Sequence, residues 1–291
     1  MEDIRLAMGL IGFLSVGAFL LTWRLLKGRS HAFLDACAVV NVGLVFAYMY
    51  FVWGELWIVR YIPLPSVIIL SNWFPILLGS LGAIVWRRME NGPTWRPLPI
   101  MAVIVGGAIY SLTFFVPQEP PECGNKWVQP APGILWPLCL QTTNETCSAA
   151  AAATVLNTIG IESNEQEMAE LCLTKSGTTW LGLYHGLSTK LYGEKQKVGF
   201  FEGSMEELDR MSKTHPLLLC CELTPDMAER VPQYVVNGGW IPGTAHTVVY
   251  FGQKNGMHLI GDPSVGYEVW RDQDLQTLWT GTGLHLSGEA D

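Results

Sequence analysis

Cys147 stands two residues before a run of five alanines, Ala149–Ala153, in a chain of 291 residues. A thiol attacks carbonyl carbon well only as a thiolate, and the N-terminus of a helix favours the thiolate through its dipole and free N–H groups. A thiolate needs a base, and the base needs a group to orient it. His246 begins one short apolar run and Asp262 ends the next, with Pro263 stopping the strand. Lys254-Asn255-Gly256 between them reads as the turn of a hairpin that would hold an imidazole beside a carboxylate. Gln141 lies six residues before Cys147. Its side-chain amide could join the Cys147 backbone N–H in an oxyanion hole. One point of geometry resists. A strict two-residue Asn-Gly turn sets Asp262 opposite Val249 rather than His246, so the pairing requires a looser loop or bulge at 253–256, or a contact from the strand end.

The elements that must position these groups follow from local patterns. Residues 147–159 read as a helix closed by Gly160. A second helix is expected over 164–173, with Ser163 as its cap and Gln166 completing a capping box. Two more are expected over 181–191 and 205–212. Apolar strands are expected at 216–223, 246–252 and 257–262. Helices first and antiparallel strands afterwards indicate an α+β domain.

The stretch Gln141-Thr-Thr-Asn-Glu-Thr-Cys147 has the glutamine-to-cysteine spacing of papain-like enzymes, and the order Gln, Cys, His, Asp is theirs too. The segment 138–281 resembles the bacteriocin-processing peptidases that cut after a double-glycine leader. The likeness is carried by the alanine-rich helix after Cys147, the stretch 160–167, Gly177–Gly186 (GTTWLGLYHG), His246-Thr-Val-Val and Gly261-Asp262-Pro263. The resemblance implies a papain-like fold with Cys147 as nucleophile, His246 as base, Asp262 orienting it and Gln141 polarising the carbonyl. It departs from that family in two ways. The domain is C-terminal here, and the chain contains no Gly-x-x-x-x-Gly-Lys-[Ser/Thr] loop, hence no ATPase domain.

The remainder of the chain differs in character. Hydrophobic residues make up 49% and charged residues 15%, with a net charge of −8. Residues 1–116 carry eight basic and five acidic residues, and residues 117–291 carry ten basic and twenty-one acidic ones. An apolar, basic half joined to an acidic half reads as a membrane part plus a water-facing domain, and the acidic balance argues against a nucleic-acid partner. Four transmembrane helices are expected at 6–23, 33–53, 62–86 and 97–116. A Pro-rich linker at 117–137 then leads to a peptidase domain at 138–291. Arg24, Lys27 and Arg29 follow the first span, and Arg87, Arg88 and Arg96 the third. The positive-inside rule puts those loops in the cytoplasm and the C-terminal domain outside. Asp35 and Glu55 are read as interfacial, and Asn41 and Asn72 as interhelical hydrogen bonders. In an oxidising compartment at least one disulfide is expected, Cys123 with Cys139 being the first choice.

Together these features imply a multi-pass membrane protein with a cysteine peptidase domain acting on a peptide or protein, with the bilayer as its other partner. No cofactor is implied, and His185, His215, His258 and His285 lack metal-ligand partners at zinc spacing. Two other readings use the same residues: an acyltransferase or amidase on the papain-like fold, and a catalytically silent peptide-binding domain.

Overall fold

At 1.5 Å rise per residue, about 20 apolar residues are needed for a helix to cross the bilayer core. The computed structural model of the chain describes residues 2–113, 119–130, 133–236 and 240–288. Three stretches in it are long and apolar enough to cross: α1 (Glu2–Leu25), α2 (His31–Phe51) and the segment Val67–Met89. A 3₁₀ turn, Leu56–Arg60, precedes the third. That third stretch is broken into α3 (Val67–Leu70) and α4 (Phe74–Met89). The expected fourth span, 97–116, is described only in part. Its helix α5 (Leu98–Thr113) has 16 residues, about 24 Å of rise, against a core of about 30 Å. Pro97 and Pro99 set its start, and residues 114–116 lie outside the described ones.

The outward side chains of α1 and α2 are large and apolar, among them Phe13, Val16, Leu20, Val39 and Phe46. Such a surface suits lipid, where only internally satisfied backbones are tolerated. The break at Ser71–Trp73 obeys that constraint. The Tyr48 hydroxyl of α2 donates to the Ser71 carbonyl (2.8 Å) and accepts from the Trp73 N–H (3.2 Å). The Asn72 amide donates to the Ser111 carbonyl of α5 (3.0 Å). Asn41 is buried too, but its Oδ1 has no partner, so the interhelical bond expected there is not made through its carbonyl oxygen. Gly79 lets α1 and α4 touch, since a Cβ there would lie 2.5 Å from the Ser15 carbonyl oxygen. Arg87 donates to the Trp23 carbonyl at the end of α1 (2.7 Å), and Arg88 pairs with Asp35 near the start of α2 (2.7 Å). The two Arg/Lys-bearing loops thereby meet at one end of the bundle.

The chain divides into two units, Met1–Val116 and Pro117–Asp291. The second is α+β. The Pro-rich stretch supplies β1 (Lys126–Val128), paired antiparallel with β2 (Leu138–Leu140). Three helices follow: α6 (Cys147–Thr158), α7 (Glu165–Leu171) and α8 (Trp180–Lys190). The remaining elements are β3 (Gln196–Glu202), α9 (Met205–Met211), β4 (Leu217–Glu222), α10 (Pro225–Arg230), α11 (Gln233–Val236), β5 (Ala245–Lys254), β6 (Met257–Asp262), β7 (Gly266–Trp270), α12 (Asp272–Leu278) and β8 (Trp279–Gly288). The large sheet runs β3-β8-β4-β5-β6-β7, antiparallel at every pairing.

The strands β1, β2, β3, β7 and β8 were not expected. Strand β8 hides behind its glycines, which depress strand propensity. Those glycines serve close packing: a Cβ on Gly283 would lie 2.3 Å from the Leu218 carbonyl oxygen and 2.5 Å from the Phe201 ring. The helix 164–173 starts one residue later than read, capped by Asn164, whose side chain accepts from the Glu167 N–H (2.9 Å). The expected disulfide is absent. All seven cysteines are free thiols, Cys123 turning its sulfur to the Pro121 carbonyl and Cys139 its own to the Leu140 carbonyl.

Helix α6 is held against the sheet by its alanines, Ala149 to Ala153, all fully buried. Small side chains let the helix axis approach the strands closely. Opposite residues of β5 face another core, where Leu208, Leu217, Leu219, Val248, Tyr250, Ile260, Leu275 and Leu278 pack. The sheet is thus covered on both faces, with the start of α6 and the start of β5 brought together.

Candidate active site

The register of the β5–β6 hairpin settles the difficulty raised by its turn. Lys254 pairs with Met257, Gln253 with His258 and Gly252 with Leu259, as a two-residue Asn255-Gly256 turn requires. Then Tyr250, not Phe251, pairs with Ile260, and Val249 pairs with Gly261. Phe251 is the extra residue of a bulge, and Gly252 beside it has φ of 114°, where a side chain would be strained. One step further along this register, Asp262 falls level with Val248 instead of Val249. Side chains alternate along a strand, so that one-residue shift moves Asp262 onto the face that carries His246. The bulge sits two residues before the segment 253–256 in which the turn pattern placed it.

The carboxylate and imidazole meet there. His246 Nε2 donates to Asp262 Oδ1 at 2.8 Å. Asp262 is wholly buried, and its other partners are the Ser264 N–H on Oδ1 (2.7 Å) and the Trp240 indole N–H on Oδ2 (3.0 Å). Trp240 also lays its ring against His246, with centroids 4.6 Å apart. A carboxylate can only accept, so Nε2 carries the proton and Nδ1 is left for the thiol.

Cys147 heads α6, its Sγ 3.9 Å from the Ser148 hydroxyl and close enough to the His246 ring and the Thr247 N–H to interact with both. The Ser148 and Thr247 hydroxyls bond at 2.7 Å, stapling the first turn of α6 to the strand residue next to His246. Burial opposes ionisation of the Cys147 thiol, yet the bonds from His246, Thr247 and Ser148 outweigh it and bring its pKa below the ordinary thiol value. The same burial works against protonated His246, but the Asp262 carboxylate, with the thiol's help, overcomes it and raises the imidazole to about 10. Both shifts favour the thiolate–imidazolium form of the pair. The other five cysteines of this unit go the opposite way. Burial pushes Cys123 up to about 11 and Cys139 and Cys220 to about 12, and it raises Cys172 and Cys221 as well.

Gln141 is tied to the same end of the sheet. Its backbone N–H donates to the Pro263 carbonyl (2.8 Å), directly after Asp262, and its Nε2 donates to the Thr143 carbonyl (3.0 Å). The structure therefore joins His246 to Asp262 by a hydrogen bond, sets the Cys147 thiol beside His246, and ties Gln141 to the strand end after Asp262.

Glu165 organises the turn between Gln141 and Cys147 and carries no local signal of doing so. It is fully buried and accepts from the Thr142 N–H (2.7 Å), the Thr142 hydroxyl (2.9 Å) and the Thr146 hydroxyl (2.6 Å). In sequence it reads as an acid in the first turn of α7, a common preference at a positive helix end. Trp240, Ser148 and Thr247 were equally silent. Their partners lie 22 to 99 residues away.

No protein-family model and no curated protein matches the chain. Several solved structures are similar to about half of it. One is the peptidase domain of Streptococcus ComA, a bifunctional ABC transporter involved in a quorum-sensing pathway, with 22% identity over 52% of this chain and 98% of that one, at a TM-score of 0.42. The peptidase domain of Streptococcus mutans ComA is 22% identical over the same shares, at 0.36. A double-glycine-motif protease from an AMS/PCAT transporter, solved in complex with its leader peptide, is 17% identical over 53% of this chain and 92% of that one, at 0.41. None is alike enough to carry residue roles across.

Glu165→Ala leaves the Thr142 N–H without its acceptor and the Thr146 hydroxyl with only its contacts to Thr143, at a cost of about 1–3 kcal/mol. The thermal midpoint of the full-length protein should fall by several degrees, and Glu165→Gln, which retains one acceptor oxygen, should cost less. Midpoints unchanged in both variants would show that Glu165 does not hold this turn.

Proposed function

We propose that the chain is a membrane-anchored cysteine peptidase that cleaves a peptide or protein by covalent catalysis at Cys147. One observation carries the reading. Among six thiols in the α+β unit, Cys147 is the one whose ionisation is eased, and the group easing it is an imidazole held by a buried carboxylate. A structural cysteine needs neither.

In this reading the Cys147 thiolate attacks the carbonyl carbon of the scissile amide, and the carbonyl electron pair moves onto oxygen. The N–H groups at the start of α6 and the free Nε2–H of Gln141 are the donors that receive this oxyanion. The tetrahedral species collapses as His246 gives its Nδ1 proton to the leaving amine, leaving a thioester on Cys147. Water then attacks the thioester while His246 takes its proton, and the acid product departs with the thiol regenerated as thiolate. Asp262 stabilises the imidazolium and keeps Nδ1 turned to the sulfur. The first unit's helices 1–116 anchor the domain 138–291 at a bilayer. The Lys/Arg-bearing loops after the first and third spans favour the cytoplasm. With the α5 segment as a fourth crossing, that rule puts the peptidase domain outside, where its substrate is a peptide or a segment of a membrane protein. The free thiols give that placement no support, so it rests on loop charge.

Two measurements test the proposal. Cys147→Ala should abolish both substrate hydrolysis and labelling by iodoacetamide. Gln141→Ala should lower hydrolysis by about 10²–10³ while labelling stays near wild type, because alkylation forms no oxyanion. Wild-type hydrolysis by a folded Gln141→Ala protein removes Gln141 from the mechanism, and hydrolysis surviving in Cys147→Ala removes the peptidase reading itself.

Placement is tested separately with a reporter fused after Asp291 that is active only outside the cytoplasm. It should be active. Activity of a cytoplasm-only reporter at the same position would reverse the topology.

A further inference from the structure

A glutamine in an oxyanion hole has a weakness that a backbone N–H lacks. Its amide has a donor end and an acceptor end of nearly the same shape, exchanged by a half-turn about one bond. Presented the wrong way round, Oε1 would meet the developing oxyanion with its lone pairs and oppose the reaction. Something must hold the amide in one orientation.

Two bonds do so here. The Thr143 carbonyl can only accept, so its 3.0 Å contact identifies the Nε2 end and uses one of the two N–H groups. The Ser264 hydroxyl donates to Oε1 at 3.0 Å, from 123 residues further along the chain. With both ends held, the amide plane cannot swing about a single remaining bond, and the second N–H has a fixed direction. Donation into Oε1 also withdraws density from the amide, which strengthens its N–H as a donor. The same residue serves the other half of the site, since the Ser264 backbone N–H donates to Asp262 Oδ1 at 2.7 Å. The Gln141 N–H to Pro263 carbonyl bond closes the loop between them.

We infer that Ser264 is a positioning residue that locks the Gln141 amide with its N–H toward the oxyanion and couples that lock to the Asp262–His246 pair. The inference rests on the peptidase reading. Its hydroxyl and its N–H act separately, which makes the two halves of its role separable by substitution: Ser264→Ala removes the first and leaves the second.

The test uses the full-length protein in detergent with p-nitrophenyl acetate, counting only hydrolysis that disappears in Cys147→Ala, and iodoacetamide labelling in parallel. Ser264→Ala should lower kcat roughly tenfold, the order expected for one lost hydrogen bond, with KM and the rate of labelling unchanged. Ser264→Thr, which keeps the hydroxyl, should restore kcat to within about twofold of wild type. An undiminished kcat in Ser264→Ala overturns the inference while leaving the peptidase reading intact. So does an equal loss in the alanine and threonine variants, or a loss of labelling in step with kcat, which would place the effect on the thiol rather than on Gln141. Absence of Cys147-dependent hydrolysis in the wild type overturns the peptidase reading and the inference with it.

Discussion

The hydrogen bond between His246 Nε2 and Asp262 Oδ1 is the contact on which the rest of the site depends. It raises the pKa of a buried imidazole, which in turn eases ionisation of a buried thiol, against desolvation of both groups. Neither charge would persist alone at this depth, because an unpaired buried charge is driven neutral. The protein accepts the cost by surrounding the carboxylate with donors, the Trp240 indole and the Ser264 N–H, and by placing the indole ring over the imidazole. The bond also depends on a defect in the sheet. Without the bulge at Phe251, alternation would carry Asp262 to the opposite face from His246.

How much of this is legible in the sequence depends on the range of the interaction. The alanine run, the turn at Asn255-Gly256 and the stop at Pro263 are local, and the elements they specify lie within a residue or two of where the pattern puts them. The order of glutamine, cysteine, histidine and aspartate is visible because each residue type is uncommon in its setting. The bulge is not visible, since Phe251-Gly252 reads as an ordinary strand end. Phe251 packs its ring against Trp136 and Tyr267, contacts that the turn does not specify. Glu165 and Trp240 have no signature at all: an acid in a first helical turn and an aromatic residue before a strand are commonplace, and their roles exist only once distant segments meet.

The membrane half shows the same division. Length and hydropathy reveal α1, α2 and the Val67–Met89 stretch, but not that the last is interrupted at Ser71–Trp73 or that Tyr48 and Asn72 take up the released backbone groups. The polar groups that matter in this unit, Arg87 and Arg88 with their partners Trp23 and Asp35, join the ends of helices rather than line a path through them.

The central claim is that this arrangement stores Cys147 as a thiolate, and the most direct measurement is a pH titration of thiolate ultraviolet absorbance, taken as the difference between wild type and Cys147→Ala. The lowered thiol and raised imidazole predict a signal that emerges below the ordinary thiol range and falls as acid protonates the sulfur. In His246→Ala it should move up toward or beyond the ordinary thiol range of about 8.5. A wild-type signal that emerges only at or above that range, unchanged by loss of His246, would contradict the account.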